Sequence, residues 1–276
     1  MRTSNKRGMT LVELLIAVSI STIVLAVGLR FVIQTLKSYQ YETGKLLINR
    51  DIRKFTTQMI DDGTYANGFM IFDQASNLSR ASYTPVGSSD PTSSTYKGYT
   101  TALTTVDPAD PVDPLIPGTS KVESGMPGDV LVFVYYKNGD NTKISQLIIY
   151  YRWISTTPNG TNGTNSTTVA TRTTALKRLV VKIFDDGTTS TTTNPIYFGI
   201  MRLLPDLNAN TPSTTLFPYV DGQANDVVPT GSVNRTNKLF YNSNNNSVLI
   251  RGRIYENYTA QRLIKSTYTF TITPRG

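Results

Sequence analysis

One carboxylate, Glu13, stands in an otherwise apolar or small run from Leu11 to Leu29, whose other polar members are Ser19, Ser21 and Thr22. An acidic side chain inside a membrane-spanning helix is unfavourable by about 2.5–3.5 kcal/mol at mid-bilayer, and by less near the edge, so it calls for a cationic partner. A cut between Gly8 and Met9 would create one. A carboxylate about 4 Å from the new α-amino group gains on the order of 4 kcal/mol at an effective dielectric of about 20. Thr10, three residues before Glu13, gives the same carboxylate a second use. With Thr10 as N-cap, the pair forms a capping box that satisfies the first free backbone N–H groups of a helix. At the level of sequence both readings stand.

Other chemistry is narrowed by what the chain lacks. It has no cysteine and no histidine, which removes thiolate nucleophiles, Cys- or His-ligated metal sites and any Ser-His-Asp arrangement. The adjacent acids Asp185 and Asp186 are the best remaining hydrolytic pair, but acids in an Asp-Asp-Gly turn ordinarily cap or solvate a loop. No enzyme activity is expected. Asp206, Asn208 and Asn210, or Asp221, Asn225 and Asp226, offer the oxygen ligands that calcium accepts. Neither set completes a ligand loop, so no cofactor is expected and calcium is the single candidate. The repeat DPADPVDP at Asp107–Pro114 lacks EF-hand spacing and reads as solvated loop, as do the Asn-x-Ser/Thr triplets at Asn159, Asn162 and Asn165.

The elements that would position Glu13 follow from the charge and hydropathy pattern. The formal charge is +8, but Arg2, Lys6 and Arg7 fall within the first eight residues; without them 24 basic face 19 acidic groups, a net +5. That balance forms no Lys/Arg stripe, and nucleic acid is not an expected partner. Residues 1–8 form a basic leader. The nineteen positions from Leu11 to Leu29 span roughly 28 Å as a helix, close to the hydrocarbon thickness of a bilayer. Residues 9–30 are thus expected to cross a membrane, with the leader cytoplasmic and everything after about Arg30 outside. A cleaved secretory signal is the competitor, but no proline interrupts the sequence until Pro85, which favours a retained helix.

Over residues 31–62, Tyr41, Ile48, Ile52, Phe55 and Met59 recur on one helical face, predicting an amphipathic half that meets a globular domain. Both halves together make a helix of about fifty residues, roughly 75 Å long. Asp61, Asp62 and Gly63 are expected to end it. Residues 63–128, rich in Ser, Thr, Pro and Asp, read as loop-rich. Residues 129–276 turn to β-branched and aromatic runs: Val130–Tyr136, Gln146–Trp153, Leu176–Phe184, Ile196–Leu204, Lys238–Tyr241, Val248–Tyr258 and Thr267–Thr273. The first two predict a hairpin, and the set predicts antiparallel sheet, giving an α+β fold.

The run KRGMTLVELLIAVSI resembles the class III signal of type IV prepilins and type II secretion pseudopilins: a basic leader ending in Gly8, then Thr-Leu-Val-Glu with glutamate fifth in the mature chain. Met9 stands where phenylalanine is usual. The resemblance implies cleavage between Gly8 and Met9 by a prepilin peptidase, N-methylation of Met9, and a role for Glu13 in assembly. It also implies a pilin-like fold and an inner-membrane assembly platform, with other pilin or pseudopilin subunits as partners. The location implied is the inner membrane, then an extracytoplasmic filament. Some pseudopilins bind calcium, which keeps that ion in view.

The order DVLVFVYY, QLIIYYRW, ALKRLVVKI and a last strand near a terminal Arg is similar to the larger minor pilins and J-type pseudopilins. The chain also lacks the proline that many major pilins carry inside this helix. Three classes of function follow: a minor filament subunit of a pilus or pseudopilus, a membrane-anchored adhesin or glycan-binding module, and, far behind, an exported hydrolase.

Overall fold

The computed structural model describes residues 10–73, 75, 84–99, 125, 127–137, 140–154, 174–184, 200–207, 211–217, 220–221, 238–259 and 262–275. The chain divides into two compact units, Met1–Leu47 and Ile48–Gly276. A single helix, α1 (Leu11–Thr64), contributes to both. Its sequence contains no proline, and glycine occurs only at Gly28, Gly44 and Gly63, so nothing forces a break.

In the first unit the apolar side chains of α1 have no protein cover: Leu11, Ile23 and Phe31 are 77%, 65% and 71% exposed. In the second unit three members of the predicted stripe, Ile48, Phe55 and Met59, are buried, and Ile52 is half-buried. Tyr41 belongs to the first unit and remains exposed. Phe55 is the centre of an aromatic cluster, meeting Phe217, Tyr268, Phe270 and Tyr150 edge-on at centroid distances of 5.2, 5.5, 5.8 and 6.4 Å. Such pairs add about 0.5–1.5 kcal/mol each beyond the area they bury.

The strands of the second unit are β1 (Gly68–Phe72), β2 (Pro85–Gly87), β3 (Tyr96–Tyr99), β4 (Pro127–Gly128), β5 (Val130–Lys137), β6 (Asp140–Ile154), β7 (Thr174–Lys182), β8 (Thr214–Phe217), β9 (Val220–Asp221), β10 (Phe240–Ser243), β11 (Ser247–Thr259) and β12 (Arg262–Ile272). All strand pairings among the described residues are antiparallel. One sheet runs β1-β5-β6-β7-β8; a second runs β12-β11-β10-β4 with β9 on β11; β2 and β3 form a small ribbon. Helix on antiparallel sheet is the predicted α+β, pilin-like arrangement.

The predicted hairpin is present. Val130 faces Tyr151 and Lys137 faces Asp140, so β5 and β6 pair antiparallel along their length. Their runs are almost wholly apolar because the first sheet is buried on both faces. Phe133, Ile148, Tyr150 and Leu176 face Phe55, Met59 and the second sheet; Val132, Leu147, Ile149 and Val181 face a separate core.

One predicted strand is corrected. Within Ile196–Leu204, residues 200–203 form a helical turn, with the Leu204 N–H donating to the Ile200 carbonyl at 3.0 Å. Ile200, Met201, Leu203 and Leu204 are all buried in that second core, so their hydrophobicity carries no strand alternation, and Pro205 follows. The turn packs on β3, where Gly98 has φ +79° and a Cβ would lie 2.4 Å from the Arg202 carbonyl oxygen. The stretch 63–128 holds β1–β4 among its described residues.

Candidate functional site

Thr10 opens α1, and its hydroxyl accepts from the Glu13 N–H at 3.3 Å. Glu13 answers with one oxygen: Oε2 accepts from the Thr10 N–H at 2.9 Å and from its hydroxyl at 3.0 Å. The Thr10 carbonyl takes the Leu14 N–H at 3.2 Å. The capping box is therefore formed, and it engages Oε2 only; among the described residues Oε1 has no donor.

Gly8 and Met9, the predicted cleavage and methylation residues, lie outside the described residues. Covalent geometry still bounds the distance that matters, because consecutive backbone nitrogens are at most about 3.7 Å apart. An amine on Met9 is within that reach of the Thr10 nitrogen, which Glu13 already holds. The capping box keeps the carboxylate at the Thr10 nitrogen, one residue after the predicted cut. The two sequence readings of Glu13 are compatible.

The helix that follows is prepared for an apolar surrounding. An eighteen-residue window of α1 reaches a mean hydropathy of 2.4, with none of it buried in the protein. Several of its hydroxyls are bonded within the helix: Ser19 Oγ donates to the Leu15 carbonyl at 2.8 Å and Thr22 Oγ1 to that of Val18. Thr35 does the same to Phe31 at 2.9 Å. No solvent is needed to satisfy them.

Two charged clusters escaped the sequence reading. Asp62, near the end of α1, is gripped by Arg178 of β7 through Nε to Oδ2 at 2.9 Å and Nη2 to Oδ1 at 3.1 Å. The Tyr150 hydroxyl donates to Asp62 Oδ2, and the Tyr135 hydroxyl to the Asp62 carbonyl. Burial, then the Asp62 carboxylate, raises both phenols well above their ordinary value. Burial works against the Arg178 charge, yet bonds to Asp62 and the charges of Tyr150 and Asp62 hold its pKa above the usual value.

The second cluster joins the sheets. Buried Asp129, between β4 and β5, receives Arg152 Nη2 of β6 at 2.6 Å and lies 3.3 Å from Lys238 Nζ, just before β10. Lys238 also reaches Asp73 Oδ1 at 3.1 Å, and the Leu239 N–H donates to Asp129 Oδ1 at 3.2 Å. Two acids and two bases balance in charge, as a buried set must.

Among the described residues no three acidic side chains gather as a metal site. Of the candidate calcium ligands, Asp206 is described and its carbonyl accepts from Thr211 Oγ1 at 2.8 Å. Asn208, Asn210, Asn225 and Asp226 lie outside the described residues, and so do Asp107–Pro114, the three Asn-x-Ser/Thr sites, Asp185 and Asp186; of the Asp221 side chain nothing is described.

Residues 3–29 match the family model of the prokaryotic N-terminal methylation motif. No curated protein and no solved structure matches the chain. Residues 3–29 thus carry the class III signal of type IV prepilins, and an uncovered apolar helix runs through and beyond them.

Proposed function

We propose that the chain is a minor pilin or pseudopilin, a structural subunit that a prepilin peptidase cleaves between Gly8 and Met9. Met9 is then N-methylated, and an inner-membrane platform adds the subunit to a type IV pilus or type II secretion pseudopilus. The leader is cytoplasmic, α1 crosses the inner membrane, and the second unit is extracytoplasmic. The observation that carries this reading is the methylation motif over residues 3–29, with Glu13 held at the start of an apolar helix that has no cover of its own.

In the membrane the uncovered side chains face lipid; in a filament they face the helices of other subunits, and Glu13 meets the new α-amine. Each change replaces one apolar contact by another, so transfer does not require the helix to refold. No catalytic residue is assigned.

The test is the mature N-terminus. Coexpressed with a prepilin peptidase, the chain should lose eight residues and begin at Met9, carrying a methyl group, with 268 residues remaining. An uncut chain would leave a membrane-anchored module, and a cut after a small residue beyond the apolar run would release the second unit without its anchor; either outcome removes the filament reading.

A further inference from the structure

Within the second unit an open groove of about 410 Å³ runs between α1 and β8. Its floor is the pair Phe55 and Phe217, whose rings meet edge-on at 5.2 Å. Both are nearly fully buried, so neither offers a flat face on which a sugar ring could stack. All four residues of β8 line the groove, although their side chains alternate between faces; the main chain of the strand therefore borders it. β8 is the last strand in its sheet, paired with β7 on one side only among the described residues. Its other edge presents backbone donors and acceptors in the geometry that an added strand completes.

The polar rim has a sign. Asp51 is engaged by Arg50, at 3.2 Å from Nε and 3.1 Å from Nη2. Arg178 spends Nε and Nη2 on Asp62 and leaves Nη1 without an acceptor among the described residues. Lys54 has no counterion among them, and the Gln58 amide and the Thr214 and Thr215 hydroxyls are uncommitted. The groove thus combines a free strand edge with an ammonium and a guanidinium N–H that both seek an anion.

From this juxtaposition we infer that the α1–β8 groove docks an extended, carboxylate-bearing segment of a neighbouring pilin-like subunit. The segment adds a strand to β8 and places its carboxylate against Lys54 and Arg178. This rests on the filament reading, which makes other subunits the neighbours. It adds a specific contact made by the globular unit to the contacts made by the apolar helix.

The experiment uses the full chain in cells that assemble the filament, with a photo-crosslinking phenylalanine analogue in place of Thr215. Mass spectrometry identifies the linked peptide, and the mature N-terminus is read from the same cells. The expected adduct is an extended Asp- or Glu-containing peptide of a pilin-like subunit. Lys54→Glu should lower its yield roughly tenfold or more, the equivalent of one charge-assisted contact, and Lys54→Arg should restore it. A chain processed to Met9 that gives no adduct, a glycan or lipid adduct, or an adduct indifferent to Lys54→Glu overturns the groove assignment and leaves the filament reading intact. A chain not processed at Met9 overturns both.

Discussion

Arg178 meets Asp62 with two parallel hydrogen bonds, 2.9 Å from Nε to Oδ2 and 3.1 Å from Nη2 to Oδ1. A carboxylate in the last turn of a helix is disfavoured by the helix dipole, and α1 carries no basic residue there. The guanidinium supplies the missing charge from the sheet. Arg178→Ala should therefore destabilise the second unit by about 2–3 kcal/mol in denaturant unfolding, less than a fully buried pair because both side chains retain some solvent contact. Arg178→Lys should recover only part of that, since an ammonium cannot form the parallel pair.

Glu13→Gln separates charge from capping. Glutamine also serves in a capping box, so α1, membrane insertion and cleavage at Met9 should persist. Loss of the pairing with the α-amine should reduce recovery in sheared filaments at least about tenfold. Recovery equal to the parent would leave Glu13 with its helix-capping part alone.

The buried Asp129 cluster is asymmetric. Asp129→Ala takes the shared carboxylate from buried Arg152 and from Lys238, leaving Lys238 its contact with Asp73, and should cost about 3–5 kcal/mol. Lys238→Met leaves Asp129 paired with Arg152 and Asp73 at a partly exposed position, and should cost clearly less. Equal losses in urea titrations would show that the cluster does not distribute charge in this way.

Gly63 and Gly28 make a matched contrast on one helix. A Cβ at Gly63 would lie 2.3 Å from Ile272 Cγ2 and 2.9 Å from Phe133 Cζ, whereas at Gly28 nothing lies within 4 Å. Gly63→Ala should lower stability by about 1–3 kcal/mol through forced displacement of the core, as read in thermal melts. Gly28→Ala should leave the second unit's melting unchanged.

Alkaline pH probes the Asp62 cluster. The folded state raises the pKa of Tyr135 and Tyr150 above the ordinary 10.0, so it holds their protons more tightly than the unfolded chain does. That stabilisation is complete below about pH 10 and is lost as pH rises above it. Melting temperature in detergent should be flat in this respect up to about pH 10 and fall beyond; Tyr150→Phe should make the fall shallower.

What sequence revealed was local. Thr10 and Glu13 are three residues apart and bond to each other, and Ile48, Phe55 and Met59 share a helical face by their spacing, so both features are readable within a few turns of α1. The neighbouring runs Val130–Tyr136 and Gln146–Trp153 announced the hairpin of β5 and β6 in the same manner. Asp129, Arg152 and Lys238 gave no such sign. Their pairing depends on how two sheets meet, and a charged residue in isolation reads as solvated. The Ile196–Leu204 run differs from the predicted strand because Ile200, Met201, Leu203 and Leu204 are all buried and show no strand alternation. Thr214–Phe217 is too short and polar to announce β8; only its place beside α1 gives the groove.

Both faces of the first sheet lie under protein, which has a kinetic corollary. Val130–Val134 of β5 and Leu147–Tyr151 of β6 are flanked by paired strands on both sides and are buried, so partial openings that expose β8 or β2 should not release their amides. Their hydrogen exchange then reports the global opening of the second unit, while exchange along β8 reports occupancy of its edge. A single labelling experiment on assembled and unassembled subunits would read cohesion and contact as two independent clocks.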